Sequence, residues 1–261
     1  MAAIHTLRER IEEYDLNSDY YLMRRVPVII VLNGRSFKKI TSLLTKPFST
    51  EFMELMCGVV IKLMQEIDGS IFGYSFNDEI ILVIRNDMNH NTEAYFDNRI
   101  QKIVSAAASI ATLELNRLAR SNNIELFGDP TFTAKTFTTP NITEAINTLI
   151  YFQQIAFHTA ITNATFYELL KTHDIDSVRQ TILEKSAQEK AEILFNECGI
   201  VFEKNYPLAF RRGVAVYRKE KKITFDGVEQ IKKKLTIDVE LPIFPKSQEF
   251  LGSIFNKGEI K

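Results

Sequence analysis

The sequence predicts an α/β protein of the α+β kind: a ferredoxin-like β-α-β-β-α-β core, followed by helical and small β elements. Three observations predict it. A β-branched apolar run occupies 26–32, and a helical period follows over 49–67. Two strand-like segments, 70–76 and 79–85, then meet at a tight tip and lead into a second helix and a further strand. Strand, helix, hairpin, helix, strand is the split pattern of that core.

Each element has its own reason. Val-Pro-Val-Ile-Ile-Val-Leu at 26–32 is the continuous apolar run of a strand buried on both faces, and Asn33-Gly34-Arg35 is a turn signal that ends it. Phe52, Leu55, Met56, Val59, Val60, Leu63 and Met64 recur at spacings of three and four, so 49–67 is an amphipathic helix. Ser49 or Thr50 caps its start and Asp68-Gly69 closes it. Asn77-Asp78 forms the hairpin tip between the middle strands. Residues 92–120 read as one long helix, with Ala106, Ala107, Ala108 and Ala111 as a small-residue face for close packing. Thr131 to Thr138 alternates by two, as a strand does. From 141 to about 199 the chain is mainly helical, and 211–240 returns to short strands with a turn near Asp226-Gly227. No linker or repeat interrupts the chain, so one compact unit is expected, with 1–140 as the core and 141–261 as a helical and β C-terminal part packed on it.

Composition sets limits on function. With 32 basic and 33 acidic residues the net charge is −1, which excludes a globally basic nucleic-acid binder. Hydrophobic residues make up 45% and charged ones 25%, enough apolar matter for a core and too much for global disorder. No apolar run approaches the roughly 20 residues of a membrane span, and 1–14 lacks the apolar core of an export signal. A cytoplasmic protein without a membrane partner is therefore expected. Cys57 and Cys198 stand apart from any CxxC or Cys/His cluster, so no zinc site is expected.

The topology brings Asn33-Gly34, at the end of the first strand, beside Asp78-Glu79 at the hairpin. Paired acids there suit two-metal phosphoryl chemistry, in which Mg²⁺ takes hard oxygen ligands and keeps some positions for phosphates. Backbone amides following Gly34 suit a triphosphate, and Arg35, Lys38, Lys39 and Lys46 are near enough in sequence to add positive charge. Asp78-Glu79 also suits a plain polar turn, and composition and spacing alone favour that simpler reading.

A family resemblance changes the balance. Val28-Ile29-Ile30-Val31-Leu32-Asn33-Gly34-Arg35-Ser36-Phe37 resembles the first metal motif of tRNA-His guanylyltransferase and its 3′-to-5′ polymerase relatives, an apolar strand followed by Asp-Gly-x-x-Phe. Gly73-Tyr74-Ser75-Phe76-Asn77-Asp78-Glu79 is similar to the second motif, Gly-Tyr-x-x-Ser-Asp-Glu. Lys46-Pro47-Phe48 matches a Lys-Pro segment. Phe96 to Lys102 resembles the start of the long palm helix of the short bacterial type, and Arg211-Arg212-Gly213 and Leu241-Pro242-Ile243-Phe244 resemble C-terminal segments. Each motif is weak; the ordered set, spread over nearly the whole chain, is specific.

The resemblance implies that 1–140 is a polymerase-like palm, the core of a Mg²⁺-dependent nucleotidyltransferase that adds nucleotides to the 5′ end of a tRNA, with GTP or ATP as substrate, commonly as a tetramer. On that basis Asp78, Glu79 and Asn33 are the catalytic candidates, with Asn33, Asp78 and the Gly34 carbonyl as metal ligands. Gly34, Arg35, Ser36, Phe37, Lys46, Asn77, Arg99 and Lys102 are the nucleotide-binding candidates, and Arg211, Arg212, Arg218 and Lys219 the RNA-binding ones. The same basic segment continues with Lys221, Lys222 and Lys232-Lys233-Lys234. Glu220, Asp226 and Glu229 among them equally suit a solvated ribbon.

The sequence also departs from the pattern. Asn33 stands where the family has the first metal aspartate, and a neutral amide weakens a site for two Mg²⁺ ions. Asn77 replaces a serine. Phe132-Thr133-Ala134-Lys135 replaces Phe-Asp-(Ala/Gly)-Arg, and Gln153 and Ala156 replace an arginine and an aspartate. These changes admit a second reading: a catalytically degenerate member that binds tRNA or nucleotide, or pairs with an active paralogue in a hetero-oligomer, a dimer or tetramer.

Overall fold

The computed structural model describes residues 6–88, 91–225 and 228–255. In chain order its elements are α1 (Leu7–Leu16), β1 (Val28–Gly34), α2 (Phe37–Ile40), α3 (Thr50–Glu66), β2 (Ser70–Phe76), β3 (Glu79–Ile84), a 3₁₀ turn (Tyr95–Asn98), α4 (Ile100–Ser121) and β4 (Phe132–Thr138). There follow α5 (Ile142–Leu169), α6 (Ile175–Ile182), α7 (Ala187–Cys198), α8 (Phe202–Asn205), α9 (Leu208–Arg212), β5 (Val214–Phe225), β6 (Val228–Asp238), a second 3₁₀ turn (Phe244–Lys246) and α10 (Gln248–Phe255).

The strands form one sheet in the order β4-β1-β3-β2-β5-β6, with every neighbouring pair antiparallel. The first four strands have the expected ferredoxin-like arrangement. β5 then extends the sheet on the free edge of β2, pairing Phe72 with Tyr217 and Tyr74 with Ala215.

Alternation along β1 assigns its residues to two cores. Ile30 and Leu32 join Ile80 and Leu82 under α3 and α4, meeting Val59, Val60, Leu63, Ala107 and Ala111. Ile29 and Val31 join Phe72, Tyr74, Ile81 and Val83 on the opposite face, covered by Ala145, Leu149 and Phe152 of α5, by Phe244, and by Leu251 and Phe255 of α10. A third cluster joins Ala160, Ile161 and Ala164 of α5 to Leu194 and Phe202. Because both faces are covered, β1 carries the unbroken apolar run seen in the sequence.

Two boundaries differ from expectation. α4 begins at Ile100, not near 92, because Phe96, Asp97 and Asn98 take left-handed backbone angles, with φ of 48°, 53° and 62°. Non-glycine residues there need support. Asn98 supplies it: its side chain donates to the Met23 carbonyl at 3.0 Å and accepts from Asn86 at 3.2 Å, and its own carbonyl accepts from Leu22 at 2.9 Å. In addition, β5 and β6 run for 12 and 11 residues, longer than the short strands expected. The expected turn at Asp226-Gly227 lies outside the described residues.

Candidate functional site

The antiparallel register fixes one end of the sheet. Asn33 lies directly opposite Glu79 on β3 and opposite Thr133 on β4. The Gly34 amide donates to the Asp78 carbonyl at 3.0 Å, tying the end of β1 to the hairpin tip. Asn77 adopts φ of 46° at that tip, a conformation asparagine tolerates better than most residues. Next to Gly34, the Phe37 ring folds back and packs against Phe132 and Phe52, with centroids 5.1 and 5.9 Å away.

Two acids thus sit side by side at the sheet end, in differing surroundings. Burial raises the Asp78 carboxyl above its ordinary value. Glu79 is raised by burial and then by the neighbouring Asp78 charge, while the Asn33 side chain as donor and the Lys135 ammonium pull it back. Apart from its own backbone N–H, the Asp78 carboxylate has no hydrogen-bond or ion-pair partner among the described residues.

Asp78 and Asn77 open into a cleft of about 460 Å³ formed by the segment between α2 and α3, the hairpin tip, α5 and α9. Phe48 and Phe210 line it as a stacked pair, centroids 5.0 Å apart and planes within 8°. Lys38 and Lys46 line it too. The Lys46 ammonium donates to Thr41 Oγ1 at 3.1 Å and lies 5.7 Å from the Tyr167 ring centre; that of Lys38 lies 5.9 Å from the Phe166 ring centre. Burial lowers the Lys46 pKa, and no carboxylate among the described residues pairs with either lysine. Two unneutralised cations, a stacked aromatic wall and one free carboxylate suit a polyanion carrying a flat ring.

No group of three or more His, Cys, Asp or Glu side chains suited to a metal ion occurs among the described residues. The donors at the sheet end are the Asp78 and Glu79 carboxylates and the Asn33 amide. These hard oxygens fit Mg²⁺ of the kind that takes one or two carboxylates and completes its shell with substrate phosphates.

The structure gathers Asn33, Gly34, Phe37, Asn77, Asp78 and Glu79 at this end, with Lys46 in the adjoining cleft. Arg35 is exposed and its amide donates to the Thr131 carbonyl at 2.9 Å. Together with the Gly34 amide on Asp78, this engages two of the amides expected to cradle a triphosphate. Ser36, at φ of 59°, opens α2.

Arg99 and Lys102 are not brought to this group. Residue 99 follows Asn98, which is anchored to Met23 and Asn86, at the end of the sheet where β1 begins and β3 stops. There Arg99 Nε donates to Asp19 at 2.9 Å, and the Lys102 ammonium lies over Phe96.

The basic residues of the C-terminal half do not form one face either. Arg211 is buried and donates to the Tyr206 carbonyl at 2.8 Å, and Arg212 donates to the Leu241 carbonyl at 2.9 Å. Arg218 donates to the carbonyls of Ser70 and Met64, and Lys219 pairs with Asp238 at 3.1 Å. The side chains of Lys221 and Lys222 lie outside the described residues. Sequence reasoning missed Phe210, Tyr167 and Asn163, all of which line the cleft. Only Phe48, inside the Lys-Pro-Phe segment, carried a signal.

Comparison with known proteins adds to this geometry. The family model described as tRNAHis guanylyltransferase matches residues 8–140. No curated protein sequence matches the chain. Among solved structures, a bacterial tRNAHis guanylyltransferase-like protein in complex with ATP is similar in fold, with a TM-score of 0.81 and 24% identity over 96% of this chain and 99% of that one. A bacterial protein of the same description in complex with GTP gives 0.74 and 22% over the same shares. The tRNAHis guanylyltransferase of Saccharomyces cerevisiae gives 0.67 and 19%, covering 82% of this chain and 91% of its own.

Proposed function

The chain belongs to the tRNAHis guanylyltransferase family, and from that premise we propose that it adds nucleotides to the 5′ end of a tRNA in the 3′-to-5′ direction, taking ATP or GTP as substrate with Mg²⁺. The observation that carries this reading is the cleft running from Asp78 to Lys46. Its parts match the parts of a nucleoside triphosphate. The stacked Phe48 and Phe210 offer an aromatic wall for the base, since stacking tolerates any base. Lys46 and Lys38, which have no carboxylate partner among the described residues, attract the phosphates. Asp78, which lines the cleft, would hold the divalent ion. When bound, Mg²⁺ neutralises phosphate charge and makes the phosphorus more open to attack.

The raised carboxyl of Asp78 has a second use in this scheme. A buried carboxylate with no internal partner is relieved by a cation, so ion and triphosphate are expected to bind together, each lowering the cost of the other. A working unit larger than the single chain is part of the proposal. The exposed Leu7, Ile11 and Tyr14 of α1, a helix with no buried residue, support it. None of the described helices is long and apolar enough to cross a membrane, and the proposed setting is the cytoplasm, where tRNA is found.

The deciding experiment supplies a 5′-triphosphorylated, 5′-truncated tRNA with Mg²⁺ and labelled ATP or GTP. Label is expected at the 5′ end with the parent chain and none with Asp78→Ala. Absence of label from the parent, with tRNA still bound, would replace catalysis with a binding or partnering role.

A further inference from the structure

Asp78 and Glu79 are consecutive in sequence but differ in what they face. Asp78 lines the cleft and has no side-chain partner among the described residues. Glu79 does not line it. It opens β3 and stands in direct cross-strand register with Asn33, on the face of the sheet that also carries Lys135 two residues along β4 from Thr133. Directly opposed side chains have Cβ atoms about 4.5–5.5 Å apart, close enough for a carboxamide to donate to a carboxylate. The register therefore sets a neutral carboxamide, and not a carboxylate, across from Glu79, while Asp78 faces the open cleft.

Two divalent ions about 4 Å apart repel strongly and are held where several carboxylates bridge them. Here the position opposite Glu79 is a neutral amide, and no cluster of three acids or other metal-binding side chains exists among the described residues. We infer that this chain holds one divalent cation per site, at Asp78, and that the cross-strand Asn33–Glu79 pair takes the place a second cation would need. The inference rests on the nucleotide reading above and adds the ion count to it. It also makes Asn33 the residue that sets that count: an aspartate in its place would oppose Glu79 as a second bare carboxylate and draw in the second ion.

The test counts ions and does not depend on turnover. The full-length chain is dialysed to equilibrium with Mn²⁺ and a non-hydrolysable ATP or GTP analogue. Bound nucleotide is measured by absorbance and bound Mn²⁺ by electron paramagnetic resonance, where two nearby Mn²⁺ ions broaden each other's signal. The expected result is one Mn²⁺ per bound nucleotide in the parent, with no spin–spin broadening, and two with broadening in Asn33→Asp. Two ions in the parent overturn the inference while leaving the nucleotide reading intact. One ion in both proteins overturns the role given to Asn33. Should Asn33→Asp fail to fold, the parent count alone still decides. No retained nucleotide at any Mn²⁺ concentration overturns the nucleotide reading, and this inference with it.

Discussion

The Phe37 ring occupies the space in which any side chain on residue 34 would begin. A Cβ built on Gly34 would stand 2.6 Å from Cε2 of that ring, well inside van der Waals contact. The ring cannot retreat freely, because Phe52 and Phe132 pack against it. The requirement for glycine here is thus steric and lies at the junction of β1 with the candidate site. Gly34→Ala is expected to lose about 1–3 kcal/mol by overpacking, a fall in Tm of several degrees for a chain of this size, and to weaken nucleotide binding because Phe37 lines the cleft. Thermal denaturation and nucleotide titration of the one variant check both.

The two acids give a pH dependence of definite sign. Burial raises Asp78, and burial with the Asp78 charge raises Glu79. A carboxyl with a higher pKa folded than unfolded binds more protons in the native state, so stability falls as pH rises through that interval. In the absence of metal and nucleotide these two carboxyls are expected to contribute stability on acidification from pH ~7 toward the ordinary carboxylate range near ~4, against the opposite contribution of carboxyls held low by their partners, such as Asp19 and Glu114. Asp78→Asn flattens this dependence and raises Tm at neutral pH while abolishing activity. Melting curves of both proteins across that range decide it.

Lys46 is expected to matter for the ligand and little for the fold. It is partly buried, which lowers its pKa, and its contacts are Thr41 and the Tyr167 ring. Lys46→Met keeps the apolar stem and removes the charge. Triphosphate affinity is expected to drop roughly 10–100-fold, the worth of one or two charge-assisted hydrogen bonds, with Tm unchanged or higher. Isothermal titration with a non-hydrolysable analogue measures the first and calorimetry the second.

Arg218 is predicted to be structural. Its guanidinium donates to the Ser70 carbonyl at 2.6 Å and the Met64 carbonyl at 3.3 Å, joining β5 to the end of α3 and the start of β2. Arg218→Ala is expected to cost about 1–3 kcal/mol by leaving these acceptors unmatched. The salt dependence of tRNA binding is expected to stay the same. A residue that contacts phosphate would instead reduce the salt slope by about 1 on removal.

The Arg218 case shows where sequence reading succeeds and where it stops. β1, α3 and the β2–β3 hairpin were legible because burial dictates their residue types: Ile29 to Leu32 are apolar on both faces, and Val59, Val60 and Leu63 recur at helical spacing. Register then followed from topology, which placed Asn33 beside Glu79. The start of α4 was not legible, because three left-handed residues are held by the Asn98 side chain bonding to Met23, 75 residues away in sequence. The basic residues were legible as charges but not in direction. A run such as Arg211-Arg212 gives no sign that its guanidiniums turn to backbone carbonyls inside the molecule. The cleft wall was half legible, since Phe48 and Phe210 meet only after the chain has passed through six further helices and three strands.

The pairing of β2 with β5 has a consequence for anyone who shortens the protein. The segment matched by the family model ends at residue 140, but the sheet does not end there. Cutting at that point would strip β5 from β2 and α5 and α10 from the face carrying Phe72 and Tyr74, both fully buried in the intact chain. What remained would present an open, apolar strand edge, ready to recruit the same edge of another molecule and grow into an aggregate. Phe244 and Phe255, at the far end of the sequence, therefore act as solubility determinants of a core laid down two hundred residues earlier.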